Sequence, residues 1–153
     1  MAGSLIPHLT VAGGAKAVEF YTAALGAVEA YRMPEQNGTR LMHAELHVGD
    51  DKFFLCDDFP EYCGGTSKTP TALGGSSVTV HLSVANCDAA VSRFVAAGGT
   101  VTMPPWDSFW GDRYARVLDP FGHEWSFAHP LPKSETAGVR AAGSVEPVAA
   151  SVS

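Results

Sequence analysis

A shift of 73 residues lays Ser4–Glu29 over Ser77–Thr102 without a gap, and 11 of the 26 aligned positions are identical. Chance would give about two. The matched pairs include His8 with His81, Leu9 with Leu82, Val11 with Val84 and Gly26 with Gly99. A repeat of this kind makes each copy one supersecondary unit that needs its twin to bury an apolar face. The 153 residues therefore read as two modules in one folding unit, too short for a multidomain enzyme.

Each copy opens with a β-rich run that ends near Ala12 or Ala85 and passes into a helical pattern. In the first helix Val18, Tyr21 and Leu25 recur at i, i+3 and i+7; in the second Val91, Phe94 and Gly98 hold those places. Asn86 suits an N-cap, Asp88 faces the positive end of the second helix, and Gly26 and Gly98-Gly99 suit left-handed C-caps. Three strand-like runs follow in each copy, at 27–33, 39–48 and 52–57 and again at 100–103, 113–118 and 123–129. Gly49-Asp50-Asp51 and Asp119-Pro120-Phe121-Gly122 supply the turns between the last two strands. The predicted fold class is α+β, two tandem βαβββ modules. Module one spans 3–58, a Gly-, Ser-, Thr- and Pro-rich linker 59–76, and module two 77–130. From Leu131 to Ser153 no usable period remains, and a disordered tail is expected.

Apolar residues at 46% support a packed core, while 16 Gly and 10 Pro fit many turns. Acids outnumber bases by 16 to 10 and the basic residues are scattered, so nucleic acid is not an expected partner. No run approaches the roughly 18 apolar residues of a membrane span, and the expectation is a soluble, cytoplasmic chain without a membrane partner. Cys56, Cys63 and Cys87 are odd in number and lack CxxC spacing, which argues against a disulfide framework or a thiolate zinc site. Neither GxGxxG, GxxxxGK[ST] nor GxSxG occurs, so no nucleotide cofactor and no serine-hydrolase mechanism is expected.

Particular phrases narrow the fold further. Ile6-Pro7-His8-Leu9, Ala17-Val18-Glu19-Phe20-Tyr21, Leu25-Gly26-Ala27, Met42-His43-Ala44-Glu45, Phe109-Trp110-Gly111-Asp112-Arg113-Tyr114 and Asp119-Pro120-Phe121-Gly122-His123-Glu124-Trp125-Ser126 stand in order along the chain. Together they resemble the vicinal oxygen chelate superfamily of glyoxalases, bleomycin resistance proteins and dioxygenases, and its PhnB-like branch in particular. That resemblance implies a sheet curled into a cup in each module, completed by a second copy in a homodimer. In the metal-dependent members, the resemblance implies, the cup holds a divalent ion (Zn, Ni, Mn or Fe) on a His from the first strand and a Glu from the last strand of each module. His8 and His81 match the histidine positions. The glutamate positions fall at or beside Phe54 and at Ser126, and Glu124, on the same strand face as Ser126, is the nearest substitute.

Strand alternation adds further candidates. On the third strand Leu41, His43, Glu45 and His47 share one face and Met42, Ala44, Leu46 and Val48 the other, the second being the core face. A carboxylate at Glu45 in a buried cup beside His43 would suit proton transfer, which makes these two the candidate catalytic pair. His47 is expected at the solvent and His123 in a structural turn. Phe54, Trp110, Arg113 and Ser126 are candidate ligand contacts, with Trp110 equally suited to an interface and Arg113 to an ion pair with Asp112 that fixes the Trp110 loop. His8 and His81 admit two readings: metal ligands, or cup-lining imidazoles inherited from the duplication.

The favoured function is binding of a small molecule in the cup, with its reaction unassigned. Alternatives are a metal-dependent lyase, isomerase or dioxygenase with the ion on His8 and His81, and a metal-free protein that sequesters an antibiotic. A metal-free lyase or isomerase using Glu45 and His43 alone is a further option. The net charge of −6 is compatible with a cationic ligand without selecting one.

Overall fold

The computed structural model describes residues 2–133. Most of the expected tail lies outside them; within them Leu131 donates its N–H to the Gly111 carbonyl at 2.9 Å. The first module runs β1 (His8–Val11), α1 (Gly14–Leu25), β2 (Val28–Pro34), β3 (Leu41–Val48) and β4 (Asp51–Asp57). After a 3₁₀ turn (Pro60–Tyr62) and the short α2 (Pro70–Leu73), the second runs β5 (Thr79–Ser83), α3 (Cys87–Ala96), β6 (Thr100–Asp107), β7 (Asp112–Leu118) and β8 (Glu124–Pro130). The linker is thus not wholly irregular: the Thr69 hydroxyl caps α2 by accepting the Ala72 N–H at 3.3 Å. Each module is a four-stranded sheet, ordered β1-β4-β3-β2 and β5-β8-β7-β6, with its first and last strands parallel and the rest antiparallel. This is the predicted pair of βαβββ units. No helix among the described residues is long and apolar enough to cross a membrane.

In each module the last strand returns beside the start of the helix and caps it. Asp57, at the end of β4, accepts the N–H groups of Gly13 at 2.8 Å and Gly14 at 2.9 Å on Oδ1, and that of Leu41 at 2.7 Å on Oδ2. A carboxylate there satisfies orphan donors and meets the positive end of the α1 dipole. A methyl group at position 14 would stand 2.6 Å from Asp57 Oδ2, so only glycine admits so close a cap. His129, at the end of β8, holds the corresponding place: its Nδ1 accepts the Cys87 N–H at 2.8 Å, while Asn86 Oδ1 accepts that of Ala89 at 3.0 Å.

The edge strands β2 and β6 carry irregularities that sequence alternation did not anticipate. Met33 pairs with His43 and Pro34 with Leu41, so β3 holds one extra residue at Met42. The bulge resets the alternation: Leu41 is buried and Met42 is 43% exposed, the reverse of the expected faces, whereas Ala44 and Leu46 are buried as predicted. Strand β6 extends to Asp107 rather than ending at 103, and Pro104-Pro105 fall at a register shift between Met103 and Trp106. Proline is tolerated on that edge because its missing N–H faces no partner strand.

The core lies between the two sheets and both long helices. Tyr21, Phe53, Phe94, Trp125 and Phe127 fill it, with α1 meeting α3 through Phe20 and Phe94, whose rings are 5.1 Å apart. At its centre sits the buried carboxylate of Asp119, which accepts the Tyr21 hydroxyl, the Trp125 Nε1–H at 2.9 Å, and the backbone N–H groups of Phe121 at 2.9 Å and His123 at 3.0 Å. Burial first, and then the Asp119 carboxylate, push the Tyr21 phenol well above its ordinary pKa, so it remains a donor. His123 Nε2 donates to the Thr10 carbonyl at 2.8 Å and ties the second module's turn to β1. Burying apolar faces against the helices leaves the opposite, polar face of each sheet turned outward.

Candidate functional site

Those two outward faces carry most of the ionisable and aromatic side chains singled out from the sequence. On the first, His8 of β1 pairs in register with Phe54 of β4, and Phe54 with Glu45 of β3. On the second, His81 of β5 pairs with Ser126 of β8, and Ser126 with Arg116 of β7. The registers make His8 and His81 equivalent, and so also Phe54 and Ser126, Glu45 and Arg116, and His43 and Tyr114. Phe54 and Ser126 thus occupy the last-strand positions beside the two histidines, as the repeat implies.

The first face is a cluster of rings. His8 and His43 lie 5.8 Å apart between centroids, His8 and Phe54 5.8 Å, and His43 and Phe54 4.6 Å; Tyr31 of β2 adds a ring 6.2 Å from His43. Partial burial among these rings, and then the second imidazole of His43, lower the His8 pKa. The expected pairing of Glu45 with His43 is not found. His47 Nε2 donates to Glu45 Oε2 at 2.6 Å and Lys52 Nζ stands 3.6 Å away. The bond from His47, reinforced by Lys52, holds the Glu45 carboxyl below the usual range. A general base working near neutrality needs the opposite shift. His47, expected at the solvent, is 43% exposed at its side chain and is also the partner that fixes Glu45.

A titration follows from the His8 environment. Its folded pKa is lowered from 6.5, so the folded chain takes up this proton later than the unfolded chain does. Whatever His8 contributes to stability is present above that value and is lost as pH falls through it toward the folded pKa. In an NMR titration the His8 ring is expected to inflect below pH 6.5 and to move upward in His43→Ala. An inflection above 6.5 would contradict this environment.

The second face is richer in donors. His81 Nδ1 lies 2.7 Å from Ser126 Oγ, and the His81 ring stacks on Tyr114 at 6.2 Å with an interplanar angle of 15°. From Tyr114 the rings continue outward to Trp110 at 5.4 Å, and from Trp110 to Trp106 at 5.5 Å and Phe109 at 5.0 Å. Trp110 is 51% exposed, so this run of rings is open to solvent. Arg116 donates to Thr79 Oγ1 at 2.6 Å and to Glu124 Oε1 at 2.9 Å. Glu124 does share the face of Ser126, but its carboxylate is engaged by Arg116, Thr79 and Thr102. Arg113 has the other parity on β7: it pairs with Asp88 of α3 and with Asp107, both at 2.9 Å, and not with Asp112. It steadies the Trp110 loop from the helix side of the sheet.

No three His, Cys, Asp or Glu side chains among the described residues come together as a metal site. His8 and His81 stand on different sheets, and the two nearby carboxylates each hold a cation of their own module. Within one chain these donors do not fit a divalent ion. A groove of about 680 Å³ runs between Leu5–Pro7, the β3–β4 turn and β5, reaching His47, Lys52 and His81. Its size lies in the range of ligand pockets.

Arg116, Thr79, Tyr114 and Tyr31 were not singled out from the sequence. Alternation along the predicted strand 113–118 carried the signal, since Tyr114 and Arg116 share one face and Arg113 belongs to the other.

Comparison with known proteins agrees with this architecture. The family model described as the Glyoxalase/Bleomycin resistance protein/Dioxygenase superfamily matches residues 5–127. An uncharacterised protein of Mycobacterium bovis is 48% identical over 128 residues, which cover 84% of each chain. Among solved structures, a gene product of Arabidopsis thaliana superposes with a TM-score of 0.66 at 28% identity, covering 84% of this chain and 99% of that one. A PhnB protein from Bacillus cereus shares the fold with a TM-score of 0.60 at 14% identity, covering 83% and 99%.

Proposed function

The chain belongs to the glyoxalase/bleomycin resistance protein/dioxygenase superfamily, whose members bind small-molecule ligands, and from that premise we propose that it binds a small molecule on the outward face of its second module. The observation that carries this reading is the continuous surface from Ser126 and His81 through Tyr114 to the exposed Trp110. Directed donors at one end and aromatic rings at the other suit a ligand that is part polar and part unsaturated. Phe54, with His8 and His43, offers a second ring surface on the first module.

The reading includes a second copy of the chain. In each sheet one side is filled by helices and the other is open, and β1 and β5, which carry His8 and His81, are both sheet edges. Setting β1 of one copy beside β5 of another would bring a first face and a second face around one cavity. Superfamily members often use a metal, and an ion on His8 and His81 would draw its imidazoles from two copies, with Glu124 reaching it only by leaving Arg116.

Native mass spectrometry of freshly purified protein, combined with metal analysis, tests all three parts. The expected species is a pair of chains retaining a small organic molecule that is released unchanged by denaturation, with retention lost in Trp110→Ala. A monomer, or retention untouched by that substitution, would refute the site. Stoichiometric Zn, Ni, Mn or Fe that disappears in a His8→Ala, His81→Ala double variant would instead favour the metal-dependent reading.

A further inference from the structure

Arg116 and Arg113 sit on one strand and face opposite ways, and their donors are used differently. Arg113 meets carboxylates on both sides, Asp88 through Nε and Nη2 and Asp107 through Nη1. Arg116 makes both of its bonds through Nη2, to Thr79 Oγ1 at 2.6 Å and Glu124 Oε1 at 2.9 Å. Among the described residues nothing accepts from its Nη1, and its Nε is buried without a partner. The buried Nε is closed to a ligand, so Nη1 is the donor left for an arriving acceptor. Glu124 is itself braced by Thr79 at 2.9 Å and Thr102 at 3.4 Å, so the guanidinium plane is fixed before any ligand arrives.

We propose that Arg116 reads a carboxylate on the bound molecule, so that the second face takes an anionic ligand whose unsaturated body lies against Tyr114 and Trp110. A charge-assisted bond from Nη1 favours a carboxylate over a neutral amide, and a pre-fixed guanidinium loses less entropy on binding. Arg116 lies beside Ser126 in register and shares the strand face of Tyr114, whose ring is 5.4 Å from Trp110. The equivalent position of the first face holds Glu45, which has no donor to offer a carboxylate. This inference rests on the small-molecule reading above and adds the charge of the ligand to it.

The test uses the full chain and two probes of one shape, indole-3-acetate and indole-3-acetamide, followed by calorimetry. The acetate is expected to bind about tenfold more tightly than the amide. Arg116→Gln should abolish the preference, Arg116→Lys should keep part of it, and Arg32→Gln, whose partner is Glu29 on β2 of the first module, should leave it intact. Glu124→Gln, which frees Nη2 of its internal carboxylate, should tighten the acetate. That gain in affinity is one that a merely structural ion pair would not give. Equal binding of the probes to the wild-type chain, a preference that survives in folded Arg116→Gln, or binding of neither probe would each overturn the proposal. Whether the small-molecule reading falls with it is read separately, from the native mass spectrum.

Discussion

Asp119→Ala is expected to lower the unfolding free energy by about 4 kcal/mol, which for a domain of this size is a fall in Tm of roughly 10–20 °C. Four donors converge on that one buried carboxylate, and two of them, Tyr21 Oη and Trp125 Nε1, come from different modules. Alanine would strand both side-chain donors in the core and loosen the turn through Phe121 and His123. The loss is larger than a single hydrogen bond would suggest, because each orphaned group adds its own desolvation cost. Asp119→Asn, which keeps one acceptor oxygen, should fall between the two. Thermal unfolding by calorimetry or circular dichroism decides it, and a change below about 1 kcal/mol would show that the two modules do not depend on this link.

The second large effect concerns the helix caps. Asp57→Ala removes the acceptor of three backbone N–H groups, those of Gly13, Gly14 and Leu41, and is expected to cost about 3 kcal/mol. His129→Ala removes the acceptor of one, that of Cys87, and should cost about 1 kcal/mol, since Asn86 still caps α3. The same denaturant titration on both variants tests the order. Equal losses would mean that the Asp57 carboxylate is satisfied by solvent rather than by the start of α1. Gly14→Ala gives an independent check, because its methyl group would stand 2.6 Å from Asp57 Oδ2 and displace the carboxylate, which should approach the cost of losing the cap.

The repeat made most of the architecture legible, because each copy carries its apolar positions at the right periods and its turns in the right places. Val18, Tyr21, Val91 and Phe94 are buried where the helical spacing put them, and the Asp119–Gly122 turn stands where its residues place it. What escaped were features that depend on pairing between strands. The bulge at Met42 is set by how Met33 and Pro34 meet β3, and no count along β3 alone exposes it. The site was legible in its histidines and less so in its partners. His43 and Glu45 share a strand face as alternation requires, but which neighbour takes the carboxylate depends on His47, two positions further along β3, and on Lys52 across the β3–β4 turn. Arg113 was the residue selected on β7, and the Asp88 that claims it lies on a helix 25 positions earlier in the chain.

The two faces began as copies and no longer match. One carries Glu45 beside Lys52, and the other carries Arg116 beside Glu124 in the equivalent places, so each ion pair is the other with its signs exchanged. A cavity enclosed by one wall of each kind would have no twofold axis relating its walls. It would tell the two ends of a bound molecule apart. An enclosure built from two unchanged copies would lack that distinction between its ends; here it would come from the divergence of the repeat itself.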